Sequence, residues 1–270
     1  MNYYFAPLEG ITGYIYRNTY EKHFGGFAKY FSPFITTNQH FGIQNKEKKD
    51  VAPENNKGIY LVPQIMTNNG EQFRDMAEKM AALGYKEVNI NLGCPSRTVV
   101  TKKKGSGFLA YPEELNNFLD EIFWYCKDME ISLKTRIGME DPEEFVRLME
   151  IYNKYPLKEL IIHPRLQTDY YNNHPNMEAF SYAVEKSKAP LCYNGDLFTV
   201  EDIRNFQKEY PTVENIMLGR GPLKTPTLMK ELAGEERDLN LWYDFLMELC
   251  EEYEKHLSGQ MNVLYKMKEH

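Results

Sequence analysis

The sequence predicts an α/β protein: a (β/α)8 barrel, the TIM-barrel architecture, followed by a C-terminal helical extension. Three observations carry this. Short runs rich in β-branched and aromatic residues alternate with longer stretches of helical periodicity, the pattern of parallel strands joined by crossover helices. Eight such units fit within the 270 residues, and one barrel commonly uses about 250. After Glu235 the alternation stops, and Trp242, Phe245, Leu246, Leu249 and Tyr253 recur at helical spacing alone. The barrel is therefore assigned to residues 1–235 and the helical extension to 236–270. The extension reaches His270 without a helix-stop signal and is expected to be incomplete.

In chain order, strands are expected over 3–7, 28–34, 60–66, 87–92, 131–137, 159–163, 190–194 and 215–218. Helical patterns follow them, among others over 70–83, 112–127, 142–155, 200–209 and 222–232. In a strand, residues i and i+2 share a face. Val88, Ile90 and Leu92 therefore oppose Asn89 and Asn91. Ile131, Leu133, Thr135 and Ile137 oppose Ser132, Lys134 and Arg136. His163 shares a face with Ile161, Gln64 sits between Pro63 and Ile65, and Asn194 ends an apolar run. The apolar faces should pack on the helices. The polar faces should converge inside the barrel near its C-terminal rim, where barrel enzymes hold their active sites.

Composition is that of an ordinary globular chain, with 42% hydrophobic and 26% charged residues. No stretch approaches the ~20 apolar residues of a membrane span, and the N-terminus has no signal-peptide pattern. A cytoplasmic location is expected, with no membrane contact and no obligate protein partner. The four cysteines form no CxxC pair, so they read as reduced thiols without a zinc site, and no metal is expected. The net charge of -7 argues against a surface coated for nucleic acid. Lys102, Lys103 and Lys104 nevertheless form a basic run.

Two cations on one lumen face, Lys134 and Arg136, are expensive to bury without an anion. A bound anionic cofactor would supply one; the alternative is a solvent-exposed strand end or pairing with Glu9 or Asp196. Asn194-Gly195-Asp196 and Gly219-Arg220-Gly221 follow the last two strands, where barrels commonly bind phosphate. Glycine lets the backbone approach an anion closely, and the N–H groups of a helix start donate to it. Gly93-Cys94-Pro95 follows the fourth strand, holding a thiol at the barrel mouth beside Asn91.

These residues resemble the tRNA-dihydrouridine synthases, flavin barrels with a C-terminal helical domain. The resemblance spans Ala6 to about Leu232. It rests on Ala6-Pro7-Leu8-Glu9-Gly10-Ile11-Thr12, Asn89-Ile90-Asn91-Leu92-Gly93-Cys94-Pro95, Lys134-Thr135-Arg136-Ile137-Gly138, His163-Pro164-Arg165, Asn194-Gly195-Asp196 and Met217-Leu218-Gly219-Arg220-Gly221. Six segments in the family's order are specific. The resemblance implies FMN as cofactor and NADPH as reductant. It implies that Pro7, Leu8 and Glu9 lie under the flavin, that Gln64, Lys134 and His163 contact it, and that Asn194, Gly195, Asp196, Gly219 and Arg220 hold its phosphate end. Cys94 would be the proton donor, and Asn91, Arg136 and Tyr171 would touch the target uracil of a tRNA. The chain departs from the family in carrying Leu8 where Met is frequent and Pro164 where Gly is frequent. The family's helical domain also continues past the point where this chain stops, so weak tRNA binding is expected. The alternatives are an FMN barrel reductase of a small molecule, of dihydroorotate or enoate type; a flavin-free lyase using Lys134 as a Schiff-base amine; and a non-catalytic RNA-binding module.

Overall fold

The computed structural model describes residues 1–36 and 42–269. The elements run β1 (Asn2–Phe5), α1 (Tyr14–His23), β2 (Lys29–Phe31), β3 (Ile35–Thr36), α2 (Asn45–Val51), β4 (Leu61–Val62), β5 (Gln64–Met66), α3 (Gly70–Ala82), β6 (Glu87–Leu92), α4 (Arg97–Val100), α5 (Pro112–Tyr125) and β7 (Glu130–Thr135). They continue with α6 (Glu144–Tyr152), β8 (Leu160–Ile162), α7 (Met177–Lys186), β9 (Leu191–Tyr193), α8 (Val200–Glu209), β10 (Asn215–Leu218), α9 (Arg220–Lys224), α10 (Leu228–Leu232), α11 (Leu239–His256) and α12 (Gln260–Met267). His270, the last residue of the expected extension, lies outside the described residues.

All pairings are parallel, in the order β3-β5-β6-β7-β8-β9-β10-β1-β2-β4. The two ends of this order belong to the same two staves. β2 and β3 are halves of the second stave, and β4 and β5 are halves of the third. Ser32 N donates to Val62 O at 3.1 Å and Gln64 N to Ser32 Oγ at 3.0 Å, bridging the breaks. The sheet thus closes into the (β/α)8 barrel. The expected continuous strands 28–34 and 60–66 are each broken in two. Pro63 explains the second break, because it has no N–H to give the ladder. The helix expected over 222–232 is likewise two short helices, interrupted at Thr225 and Pro226.

The faces sort by parity. Val88, Ile90, Leu92, Ile131 and Leu133 pack outward with Phe73, Met76, Leu115, Phe118 and Leu148 of the helices. A second, inner cluster of Tyr4, Ala6, Phe31, Val62, Ile161, Cys192 and Met217 plugs the lumen. Below that plug, Lys29 pairs with Glu87 at 2.7 Å. Glu159 Oε1 accepts from Tyr4 Oη at 3.1 Å and Asn215 Nδ2 at 2.6 Å, while Glu159 Oε2 and Glu87 Oε1 are buried without a hydrogen-bond partner among the described residues.

Burial pushes the Glu159 carboxyl up to about 7, with Glu87 adding repulsion. The folded chain therefore holds this proton more tightly than the unfolded chain. Stability from Glu159 is complete below about pH 4.5 and is lost as pH rises towards 7, by on the order of 3 kcal/mol. Glu159→Gln keeps an accepting carbonyl and cannot ionise. Denaturant titrations across this window should show the parent losing stability relative to the variant; parallel curves would dismiss the raised carboxyl.

The C-terminal helices lie on the barrel's first helix. Phe245 of α11 sets its ring 5.7 Å from Tyr16, 6.1 Å from Tyr20 and 5.1 Å from Phe24. Leu249 and Tyr253 bury on the same face, and Glu248 bridges Lys22 and His23 at 2.6 and 2.8 Å.

Candidate active site

The C-terminal ends of the strands frame a cleft lined by Ala6, Pro7, Leu8, Lys134, His163, Tyr171, Asn194, Gly195, Asp196, Gly219 and Arg220. Ten of these eleven are residues singled out in the sequence; Ala6 opens the same segment. Lys134 stands at the end of β7, opposite Asn91 in the neighbouring strand. Protein surrounds it on every side but the cleft, and desolvation together with the adjacent Arg136 lowers its pKa to about 8. Among the described residues it has no ion-pair partner.

Gln64, Asn91 and Cys94 stand beside this cleft in a linked array. Asn91 Nδ2 donates to Gln64 Oε1 at 2.7 Å, Gln64 Nε2 to Asn89 Oδ1 at 2.8 Å, and Asn89 Nδ2 to Ser132 Oγ at 3.0 Å. Gln64 is fully buried with both amide ends engaged. Asn91 Oδ1 accepts from the backbone N–H groups of Gly93 and Cys94 at 3.1 and 3.0 Å, fixing the turn that presents the thiol. The Cys94 carbonyl accepts from Ser106 N and Oγ at 3.1 and 2.8 Å. Gly105 lies against that carbonyl at φ +54°, and a Cβ there would come within 2.8 Å of Cys94 O. Burial pushes the Cys94 thiol up, against the opposing pull of the Ser96 backbone N–H, Arg136 and Lys134. Cys94 therefore remains a protonated thiol at neutral pH.

Arg136 is buried and committed to three backbone carbonyls: Gly93 O at 3.0 Å, Leu166 O at 2.7 Å and Tyr170 O at 2.6 Å. It ties the Cys94 turn to the loop carrying Tyr171. The Tyr171 ring receives both Arg136 and Arg220, their guanidinium carbons 5.3 and 5.1 Å from its centroid. Asp196 is gripped by two cations, Arg165 and Arg220. Asn194 Nδ2 donates to Met217 O at 2.9 Å, tying the first glycine-bearing loop to β10 just ahead of the second. Gly221 allows their close approach; a Cβ there would fall 2.5 Å from Leu197 O. Glu9 turns away from the cleft and pairs with Lys46 at 3.0 Å on the surface.

Sequence reasoning gave no role to Arg165, although it quoted the residue, and it missed Arg17. Arg17 is buried in α1. It donates to Thr12 O at 2.8 Å, Asp50 O at 2.7 Å and Asn56 Oδ1 at 2.9 Å, anchoring the loop after β1. A long side chain that binds carbonyls distant in sequence leaves no local pattern.

No helix among the described residues is long and apolar enough to cross a membrane. The family model for dihydrouridine synthase (Dus) matches residues 4–269. The tRNA-dihydrouridine synthase B of Pasteurella multocida (strain Pm70) is 25% identical over 256 residues, covering 94% of this chain and 76% of that protein. The tRNA-dihydrouridine(16) synthase of Pseudomonas syringae pv. tomato is 25% identical over 238 residues, covering 86% and 74%. Among solved structures, the old yellow enzyme homologue from Zymomonas mobilis superposes with a TM-score of 0.59 at 10% identity, covering 89% of this chain and 92% of that one. A 2-naphthoyl-CoA reductase gives 0.62 at 12% identity, covering 86% and 50%. These last two likenesses are of fold. With the family model matching nearly the whole chain, and the motif residues gathered at one barrel rim, the chain belongs to the dihydrouridine synthase family.

Proposed function

We propose that the protein reduces a uridine of tRNA to dihydrouridine, using FMN held in the cleft and NADPH as reductant. One observation carries the cofactor reading. Lys134 is a desolvated cation facing the cleft with no ion-pair partner among the described residues, and two glycine-bearing loops with Arg220 lie across from it. A donor set of this kind fits an anionic, phosphate-bearing group. Pro7 and Leu8 would form its apolar bed. Lys134 and His163 would donate to its ring system, and Asn194, Gly195, Gly219 and Arg220 would hold its phosphate. Asp196, already spanned by Arg165 and Arg220, would act by fixing those arginines.

The chemistry FMN supplies when bound is hydride transfer, from NADPH and then to C6 of the uracil. The chain's own residues do the rest. Asn91 and Arg136 would stabilise charge developing on the uracil carbonyl side, and Tyr171 would offer a face for the base once it leaves its stack. Cys94 would give its thiol proton to C5, completing saturation of the C5–C6 bond, and recover a proton from solvent. Arg97, Lys102, Lys103 and Lys104 follow the Cys94 turn and would meet the RNA backbone. The 236–270 segment would serve as the RNA-side helical extension, in one chain with the 1–235 catalytic barrel.

The test is the visible spectrum and the chromophore released on denaturation, followed by dihydrouridine content of unmodified tRNA incubated with protein and NADPH. A protein that gains no flavin spectrum on FMN titration sinks the reading. Arg220→Ala should weaken FMN by about 1.5–3 kcal/mol and leave riboflavin, which has no phosphate, nearly unaffected. Equal losses for both flavins would remove Arg220 from the phosphate end.

A further inference from the structure

We propose that Arg165 is a positioning residue that fixes His163 as the neutral tautomer with its proton on Nδ1. The cleft is thereby offered an N–H donor and no positive charge at this point.

The argument is geometric. Arg165 Nη1 lies 2.9 Å from His163 Nε2. A guanidinium has five N–H donors and no acceptor, so Nε2 must accept and cannot carry a proton. In a neutral imidazole the proton then resides on Nδ1. Arg165 cannot turn away from this contact. It is buried, its Nη1 and Nη2 both meet the Asp196 carboxylate, and its Nε donates to Asn173 O at 2.5 Å. Its own backbone N–H donates to His163 O at 2.7 Å, so the two residues form one rigid unit at the end of β8. Among the described residues His163 Nδ1 has no hydrogen-bond partner, and the ring lines the cleft.

The surroundings hold the ring neutral. Burial leads, and Lys134 and Arg136 of β7 and its end, Arg165 beside it, and Arg220 of α9 all oppose a further charge. The Tyr171 ring covers the imidazole at 6.1 Å. The Asp196 carboxylate is taken up by Arg165 and Arg220. Asp196 thus acts on His163 through Arg165, a role the sequence motif alone does not reveal. A ligand atom facing Nδ1 must be an acceptor, a carbonyl oxygen or an unprotonated ring nitrogen.

The experiment uses the full chain without added flavin, with isotope-labelled histidine. Two-bond proton–nitrogen correlation spectra separate the two tautomers from the imidazolium, and His163→Asn identifies the signal. His163 should show the Nδ1–H form alone and should not titrate between about pH 5.5 and 8, where an ordinary histidine does. In Arg165→Met the Nε2–H form should become populated. If that variant fails to fold because Asp196 has lost a partner, Arg165→Met with Asp196→Asn removes both charges and makes the same prediction. A protonated Nε2 in the parent, or an unchanged tautomer in the variants, overturns the inference. A second arm rests on the flavin reading: the affinity of the parent for riboflavin, which lacks the phosphate that itself titrates near pH 6, should show no inflection near pH 6.5, and Arg165→Met with Asp196→Asn should bind FMN roughly tenfold more weakly. A protein that shows the Nδ1–H form yet binds no flavin supports the inference and dismisses only the cofactor.

Discussion

Cys94→Ala is expected to form dihydrouridine on the order of 10²–10⁴-fold more slowly than the parent while keeping its flavin. The thiol sits on a turn fixed from both sides, by Asn91 Oδ1 on its N–H and by Ser106 on its carbonyl, and neither contact involves sulfur. Removing Sγ costs the Ser96 N–H its bond to sulfur but leaves these two anchors of the turn in place. Burial keeps the thiol protonated at neutral pH, the state a donor to carbon requires. Reduction of the flavin by NADPH needs no proton from this residue, so that half-reaction should proceed at the parent rate. The measurement is single-turnover: reduce, add unmodified tRNA, then follow flavin reoxidation and dihydrouridine content. Cys94→Ser should also be slow, because a hydroxyl is a much weaker acid. Cys192→Ala, in the lumen plug, should cost stability alone. Reoxidation of Cys94→Ala at the parent rate would show that the proton comes from elsewhere.

Arg17→Met should destabilise the fold by about 3–5 kcal/mol, the usual cost of breaking a buried ion pair. Asp50 is 6% exposed and lies 3.7 Å from the guanidinium. Without Arg17 its carboxylate keeps, among the described residues, only the hydrogen bond from the Tyr14 N–H at 2.6 Å. Thr12 O and Asn56 Oδ1 lose the donors they share with that arginine. The flavin side should suffer too, since Thr12 ends the loop that presents Pro7 and Leu8. Chemical denaturation measures the first effect and FMN titration the second. Arg17→Met with Asp50→Asn should recover part of the stability, because no unpaired charge remains buried. A loss below about 1 kcal/mol in the single variant would mean that water replaces the arginine.

The barrel and much of its rim were legible because a strand has period two. Asn89, Asn91, Ser132, Lys134, Ile161 and His163 face inward as parity requires. The same parity places Glu87 beside Asn89 and Glu159 beside Ile161, so the acidic cluster below the plug was readable and was passed over. Pro63 likewise announced a broken strand inside a run read as continuous. The commitments of Arg136, Arg165 and Arg17 were not readable. Most of their partners are backbone carbonyls and polar side chains about 30–40 residues away, brought near by the fold, and no spacing in the chain encodes them. Gln64 shows the same limit: parity directs it inward, but its engagement with Asn89 and Asn91 depends on a register across two strands.

The seating of α11 on α1 bears on how the chain is made. Tyr16 and Tyr20 of the first helix, and Phe24 just past its end, are covered by Phe245, about 220–230 residues later. At roughly 5–20 residues per second, a ribosome needs on the order of 10–50 s to supply that cover. Through this interval Tyr16 and Tyr20 can pack on Phe5 and Phe27, but the side that Phe245 covers stays open. Nascent chains stalled before residue 239 should therefore be captured by a chaperone that recognises apolar segments, and chains stalled with α11 fully emerged should escape it. Replacing Phe245 by Asp should extend the captured window to the longer chains, marking this one ring as the clasp that ends the barrel's dependence on assistance.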